Sequence, residues 1–399
     1  MQKQALFLAS LLLLGGIAAT TPPVVRAYPT ESENSQQASQ DLKKLLQQGR
    51  ELVDSGNIAG AIEAYEQAAS LDDQNARIFS GIGYLQARQE NFSASADSFR
   101  RALALEPNNA DFQYGLGFAL AHLEEYDRAE AAYRQSLQLA PDNLDAYLGL
   151  GVVLLKQKDY DGALQIYEQV TSRDPKHWRA YEYIGVALLE GGRIDEAIST
   201  LEQAAQLAPG QSSIQLVLGK ALVRQDKIPE AIATFERAAE IDPDNAEVQL
   251  NLAILLQATG DIDGALATYK QAAQLDSRNA DVQLGLARLL WKQNDIDGAF
   301  VAYKKVASLT PDLVEAQLAI GEIYLQKQQN LQAILAYRQA LETEEDNADA
   351  YYGLARGLNG RSRSREAIES LEKARALYQQ QDNTEGLEKV DKLLSELNE

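Results

Sequence analysis

The chain has no cysteine, one methionine, two tryptophans and two histidines among its 399 residues. Without thiols there is no disulfide, no thiolate nucleophile and no thiolate metal site. His122 and His177 stand 55 residues apart, so neither a histidine metal cluster nor a histidine-based triad is expected. Positive charge is also short, with 37 Lys and Arg against 58 Asp and Glu and a net charge of −21. A nucleic-acid partner requires cations to displace counterions, so none is expected. The acidity fits the solubility of a surface-rich chain, or attraction to a basic partner. The composition, 45% hydrophobic and 24% charged with ten prolines, is that of a folded chain rather than a disordered one.

The most apolar stretch runs from Ala5 to Ala19, follows Lys3, and breaks at Thr20-Thr21-Pro22-Pro23. Its length suits the core of a secretory signal and falls short of the ~20 residues that span a bilayer. Small residues at Val25-Arg26-Ala27, or at Ile17-Ala18-Ala19, offer cleavage sites. Residues 1–27 are therefore expected to be a signal peptide, with an uncleaved membrane anchor as the alternative. No twin-arginine pair or lipidation cysteine is present, which leaves general export to a periplasm, envelope or thylakoid lumen. Losing residues 1–27, which hold Lys3, Arg26 and no acid, would take the charge from −21 to −23. Residues 28–41 are polar, lack apolar periodicity and read as a flexible linker.

The prolines disclose the organisation. Pro107, Pro141, Pro175, Pro209 and Pro243 are each 34 residues apart, and Pro311 lies two periods further on. Blocks of 34 from Leu42 give ten repeats, 42–381, without insertion or deletion. Position 8 is Gly or Ala in every block, as in Gly83, Gly117 and Ala253. Position 20 is Ala in nine blocks, with Ser95 the exception, and position 24 is Tyr, Phe or Leu, as in Tyr65, Phe99 and Leu201. In block 7, Ala246–Thr259 has helical periodicity and ends at Gly260, suited to a left-handed C′ position. Asp261 then caps a second helix, and Asn245 is placed to cap the first. Small residues at positions 8 and 20 allow two helices to approach, and the ring at 24 fills the space beside them.

This pattern of small-8, Ala-20, aromatic-24 and Pro-32 resembles the tetratricopeptide repeat (TPR). The resemblance covers residues 42–381. It implies an all-α fold: a right-handed superhelical solenoid of ten helical hairpins. Residues 382–399, with Leu387, Val390, Leu394 and Leu397 in one stripe, are expected as a C-terminal capping helix, since a stack must seal its ends. Twenty-one helices and almost no strand are expected.

Three features imitate chemical motifs. The pairs Gly81/Gly83, Gly115/Gly117 and Gly149/Gly151 look like phosphate-loop fragments, but they recur inside helices with no preceding strand and read as packing glycines. Asp159-Tyr160-Asp161-Gly162, Asp261-Ile262-Asp263-Gly264 and Asp295-Ile296-Asp297-Gly298 look like calcium loops without the closing Glu, and read as helix N-caps. Carboxylates are abundant, but no pair stands out as an acid and base. No catalytic residue, metal or cofactor is expected, and an enzyme is the least favoured alternative.

The resemblance further implies that first helices line a concave face, with ligand contacts near positions 2, 5, 9, 12 and 13. On that register Tyr84, Tyr114, Phe118, Leu148, Val152 and Val186 form a candidate apolar groove across repeats 2 to 5, unless they belong to interhelical packing. Acids at position 2 and bases at position 13 complement the helix dipole. No block has Lys at position 5 or Asn at position 9, so the clamp that related domains use for heat-shock chaperone tails is not expected. Arg361, Arg363 and Arg365 form a secondary, basic candidate for a carboxylate-rich surface or lipid headgroups. The expected function is a non-catalytic protein-interaction scaffold, an exported assembly or accessory factor for a membrane-associated, periplasmic or lumenal complex. The alternative is a component of a secretion or polysaccharide-export machine. The partner is a protein or peptide, with membrane contact at most peripheral.

Repeats 7 to 10 depart most from the pattern, with Ala253, Ala287, Ala355, Ser277 and Glu345 at signature positions. We predict that they open more readily than repeats 2 to 6; uniform hydrogen-exchange protection along the chain would contradict this.

Overall fold

The computed structural model describes residues 38–398, which form twenty-one α-helices and, among the described residues, no strand. The expected signal peptide lies outside the described residues. Of the expected linker, residues 38–41 are already helical, because the first helix, Ala38–Asp54, starts one turn before the first repeat. Elsewhere the 34-residue register holds. First helices begin at position 1 of repeats 2 to 10, as in Ala76–Arg88, Ala110–His122 and Leu144–Lys156. Second helices begin at position 17, as in Ile58–Leu71, Phe92–Leu105 and Tyr126–Leu139.

The helices fall into two compact units, one ending at Lys227 and the other starting at Ile228. The first holds the hairpins of repeats 1 to 5 and the first helix of repeat 6, Ser212–Arg224. The second holds Ile228–Ile241, the hairpins of repeats 7 to 10, and the closing helix Thr384–Asn398. In the first unit, first helices of consecutive repeats from 2 to 6 touch one another as well as their own partners, and those of repeats 9 and 10 do so in the second. First helices therefore form the inner layer of each stack and second helices the outer one.

Local chemistry sets the helix ends. The side chains of Asn75, Asn109, Asn143, Asn245, Asn279 and Asn347 accept from backbone N–H groups of the first turn, satisfying donors that a helix start leaves open. Asp159, Asp261 and Asp295 cap second helices by accepting from Gly162, Gly264 and Gly298 at 2.9, 3.0 and 2.9 Å. A side chain on Gly298 would crowd the capping carboxylate at 2.6 Å, which accounts for the Asp-x-Asp-Gly pattern. The hairpin turn places position 15 in the left-handed region. Gly260 takes it with φ 91°, but Glu90, Glu124, Lys158, Asn294 and Gln328 do so without being glycine.

The core is built around the side chain at position 24. Phe99 lies against Gly83 of its own repeat and Gly115 of the next, Tyr133 against Gly117 and Gly149, and Tyr337 against Gly321 and Gly353. A Cβ on Gly149 would come within 2.6 Å of the Tyr133 ring, closer than carbon atoms approach. These rings are almost fully buried. Ser95, the exception at position 20, is accommodated because its hydroxyl donates to the Gly83 carbonyl at 2.8 Å. The closing helix buries Val390 and packs Leu387, Leu394 and Leu397 against the last repeat.

Gly149→Val should therefore lower stability by about 1–3 kcal/mol or more through overpacking. Gly210→Ala, with nothing within 4 Å of the added methyl, should be neutral or slightly stabilising. Urea unfolding of both variants checks the contrast, and equal midpoints would contradict it.

Candidate interaction surface

The inner layer carries two different chemistries. In the first unit, the expected apolar groove is mostly interior. Tyr114 and Phe118 are 5% exposed, Leu148 is 2% and Val186 9%; only Tyr84 and Val152 remain half-buried. In repeat 3, with no side chains at positions 6 and 8, Tyr114 settles against Tyr133 of its own repeat at 5.9 Å and Phe118 edge-on to Phe92 of the preceding repeat at 6.2 Å. Val186 is buried although Tyr183 stands at position 6 of its repeat. Tyr84 keeps a free face, with the Arg88 guanidinium 6.0 Å from its ring. The expectation of an open apolar groove is thus corrected: four of its six residues are packing.

In the second unit the inner layer is ionic. Arg288 of repeat 8 holds Glu315 of repeat 9 through two hydrogen bonds, Nε to Oε1 at 2.6 Å. Arg356 of repeat 10 reaches back to Glu322 of repeat 9 at 2.6 and 3.3 Å, and the Tyr337 hydroxyl donates to the same carboxylate at 3.3 Å. Tyr378 donates to Asp349 at 2.6 Å. Burial pushes Tyr303 up to about 12, with Glu315 adding to the rise and Arg288 opposing it; Tyr337 is raised by burial and then by Glu322. These phenols stay protonated throughout the ordinary pH range, so Tyr337 and Tyr378 remain donors to their carboxylates. Arg-Glu-Arg at position 9 of repeats 8 to 10 was visible in the sequence, but the pairing was not. Glu315, which suits the helix dipole, is in addition clamped across the repeat boundary.

The basic run is not a free cluster. Arg363 binds Glu366 at 2.6 and 2.5 Å and Arg365 lies 3.4 Å from Glu369, both acids on the helix that the run introduces. Ser362 takes the left-handed turn position with φ 58°. Arg361 is exposed. The histidines are structural: His177 Nδ1 accepts from the Ala180 N–H at 3.3 Å, and His122 stacks on Phe92 at 4.1 Å. Among the described residues, no group of three His, Cys, Asp or Glu is placed to hold a metal ion, and no helix is long and apolar enough to cross a membrane.

One buried acid escaped the sequence reading. Glu182, at position 5 of repeat 5, is 8% exposed. Burial raises its carboxyl above the ordinary value, opposed by a hydrogen bond with Ser213 and the charge of Arg179. A carboxylate whose folded value is raised destabilises the fold once ionised, so stability is lost as pH climbs from the unfolded value through the folded one. Glu182→Gln should therefore be more stable than wild type near neutral pH, the difference vanishing below the ordinary carboxylate range. Urea titrations at both pH values test this, and a constant difference would contradict it.

Tetratricopeptide-repeat models match residues 46–110, 109–176, 148–212, 188–255, 222–273, 256–299 and 321–356. No curated protein matches significantly. Among solved structures, a tetratricopeptide repeat protein from Parabacteroides merdae is 18% identical over 63% of this chain and 99% of its own, with a TM-score of 0.55. MamA from Desulfovibrio magneticus is 28% identical over 43% and 96%, at 0.40. PilF from Pseudomonas aeruginosa is 22% identical over 54% and 98%, at 0.46.

Proposed function

The chain belongs to the tetratricopeptide-repeat family, whose fold is generally a protein-interaction scaffold, and on that premise we propose that it is an exported assembly factor that holds a polypeptide partner along the inner layer of its second unit. The observation that carries this reading is the file of ordered charges on repeats 8 to 10. Arg288 and Glu315 are 51% and 39% exposed in their side chains, Arg356 and Glu322 36% and 29%. A guanidinium has five N–H donors, and each pair uses only two. The remaining donors, held in place by their own carboxylates, face a partner without the entropy loss of ordering them on binding. Ion pairs of this exposure contribute little to stability, which leaves recognition as the better account of their arrangement. Export rests on the apolar segment Ala5–Ala19, and it places the partner in a periplasm, envelope or lumen.

Chemical cross-linking and affinity capture from native envelope extract test the reading, with wild type compared to Arg288→Ala/Glu322→Ala/Arg356→Ala. The expected result is loss of the captured protein by about tenfold or more, the scale of ~1.4 kcal/mol, while circular dichroism stays unchanged. Retention of the partner by the folded triple variant would overturn the assignment to this face.

A further inference from the structure

The outer layer of the second unit carries a feature of opposite kind. Position 22 is exposed in all ten repeats. In eight it is small or polar: Glu63, Asp97, Ala131, Gln165, Ser199, Ala233, Ala267 and Glu369. In repeats 8 and 9 it is Val301, 69% exposed, and Leu335, 58% exposed, and Leu331 lies one turn before Leu335 at 49%. Leu331 and Leu335 share a helix face, at a spacing that brings side chains to about 5–6 Å. Val301 occupies the equivalent place on the preceding second helix. Leu331 and Leu335 make one apolar spot, and Val301 stands in the same register on the neighbouring second helix, facing the same outer side.

Cations accompany it. Position 25 is Lys270, Lys304 and Arg338 in three consecutive repeats, all exposed. Among the described residues none of them is paired with a carboxylate; Lys304 rests over the Phe300 ring at 5.5 Å. By contrast Arg100 and Arg134, at the same position in the first unit, bind Asp97 and Glu130. Of the acids near these cations, Asp297 is held by Lys327 at 2.5 Å and Glu369 by Arg365, while Glu342 and Glu345 line the same cleft as Arg338 and Glu372 ends the position-25 row in repeat 10. Three cations without a carboxylate partner therefore lie in or beside the repeats that hold the most exposed large apolar side chains among the described residues, in a chain of 58 acids and 37 bases.

We propose that this outer face of repeats 8 and 9 docks on a lipid bilayer bearing anionic headgroups, with Val301, Leu331 and Leu335 entering the interface and Lys270, Lys304 and Arg338 meeting the phosphates. The charge complementarity is local. Acids elsewhere on the surface are screened beyond about 8 Å at physiological salt, so the negative net charge does not cancel a patch in contact. Three apolar side chains and three cations give reversible binding, and stable attachment takes a second signal. The apolar run Ala5–Ala19 would supply one if it stays uncleaved, the alternative to its reading as a removed signal. Docking uses the layer opposite the ionic file, so its failure would leave the proposed inner-face recognition untouched.

Because the chain has no cysteine, one introduced thiol can be labelled without background. The full chain carrying Val301→Cys and an environment-sensitive fluorophore would be mixed with phosphatidylcholine vesicles containing about 30% phosphatidylglycerol or none. Gln165→Cys, at the same position of repeat 4, is the control, since the N-terminal run can tether the chain to vesicles without immersing this face. Docking predicts that emission at position 301 rises about twofold or more and shifts to the blue with anionic vesicles. Control emission should not change. The response should fall at about 0.5 M salt and be lost with Lys304→Glu/Arg338→Glu. Silence at position 301, or an equal response at 165, would overturn the proposal. So would a response that grows with protein concentration without lipid, which would assign the face to a second copy. A response to an acidic amphipathic peptide but not to vesicles would assign it to a protein, with the same consequence.

Discussion

In repeats 2, 3 and 9 the stack depends on a side chain clamped by backbone that has no side chain of its own, while in others alanine or a larger residue takes one of the two flanking places, as at Ala253 and Tyr183. The ring at position 24 enters from the second helix, and the glycines at position 8 of its own repeat and position 6 of the next leave the room it occupies. Phe99, Tyr133 and Tyr337 show the arrangement on both sides. One ring therefore joins two repeats, and neither hairpin can bury its apolar face without the neighbour that supplies the second glycine. That is why the fold grows as a stack and not around one core. Variation is tolerated where the geometry survives: Leu201 replaces the ring against Gly185, and Ser95 replaces alanine by donating to a carbonyl.

The same clamp decides which residues are left to meet a partner. In repeats 3 and 4, where positions 6 and 8 are glycine, Tyr114, Phe118 and Leu148 sink between helices, while Val152 stays half-buried. In repeats 8 to 10, position 9 is Arg288, Glu322 and Arg356, and charges of that size remain at the surface and pair along the stack. Further links tie consecutive repeats at one spacing: Gln157 donates to Asp127 at 2.8 Å, Lys327 to Asp297 at 2.5 Å, and Gln225 to Asp195. Polar contacts thus keep register at the edge, while rings keep it in the core.

Much of this was legible in the residues alone. Period, helix boundaries, capping asparagines and the closing helix follow from short-range rules of helix geometry, which act within a few residues of the chain. Even the left-handed turn was partly visible, at Gly260. It was hidden at Glu90, Glu124 and Lys158, because the stacked hairpins on either side hold the backbone in a conformation that those residues do not favour alone. The start of the first helix at Ala38 was missed for a related reason: a polar segment without apolar periodicity extends a helix already fixed by Leu42 and Leu46.

The sequence by itself determined the number of repeats, the helix pairs and the residues available to each layer, since these depend on spacing along one chain. Only the tertiary structure decided exposure. Tyr114 and Val301 both look like surface contacts by position and type, yet one is buried against Tyr133 and the other is left exposed. Arg288 and Glu315 are 27 residues apart, and their pairing depends on how one hairpin lies against the next. Burial and ion pairing are properties of that packing, and no local pattern encodes which of two apolar side chains will have a neighbour over it.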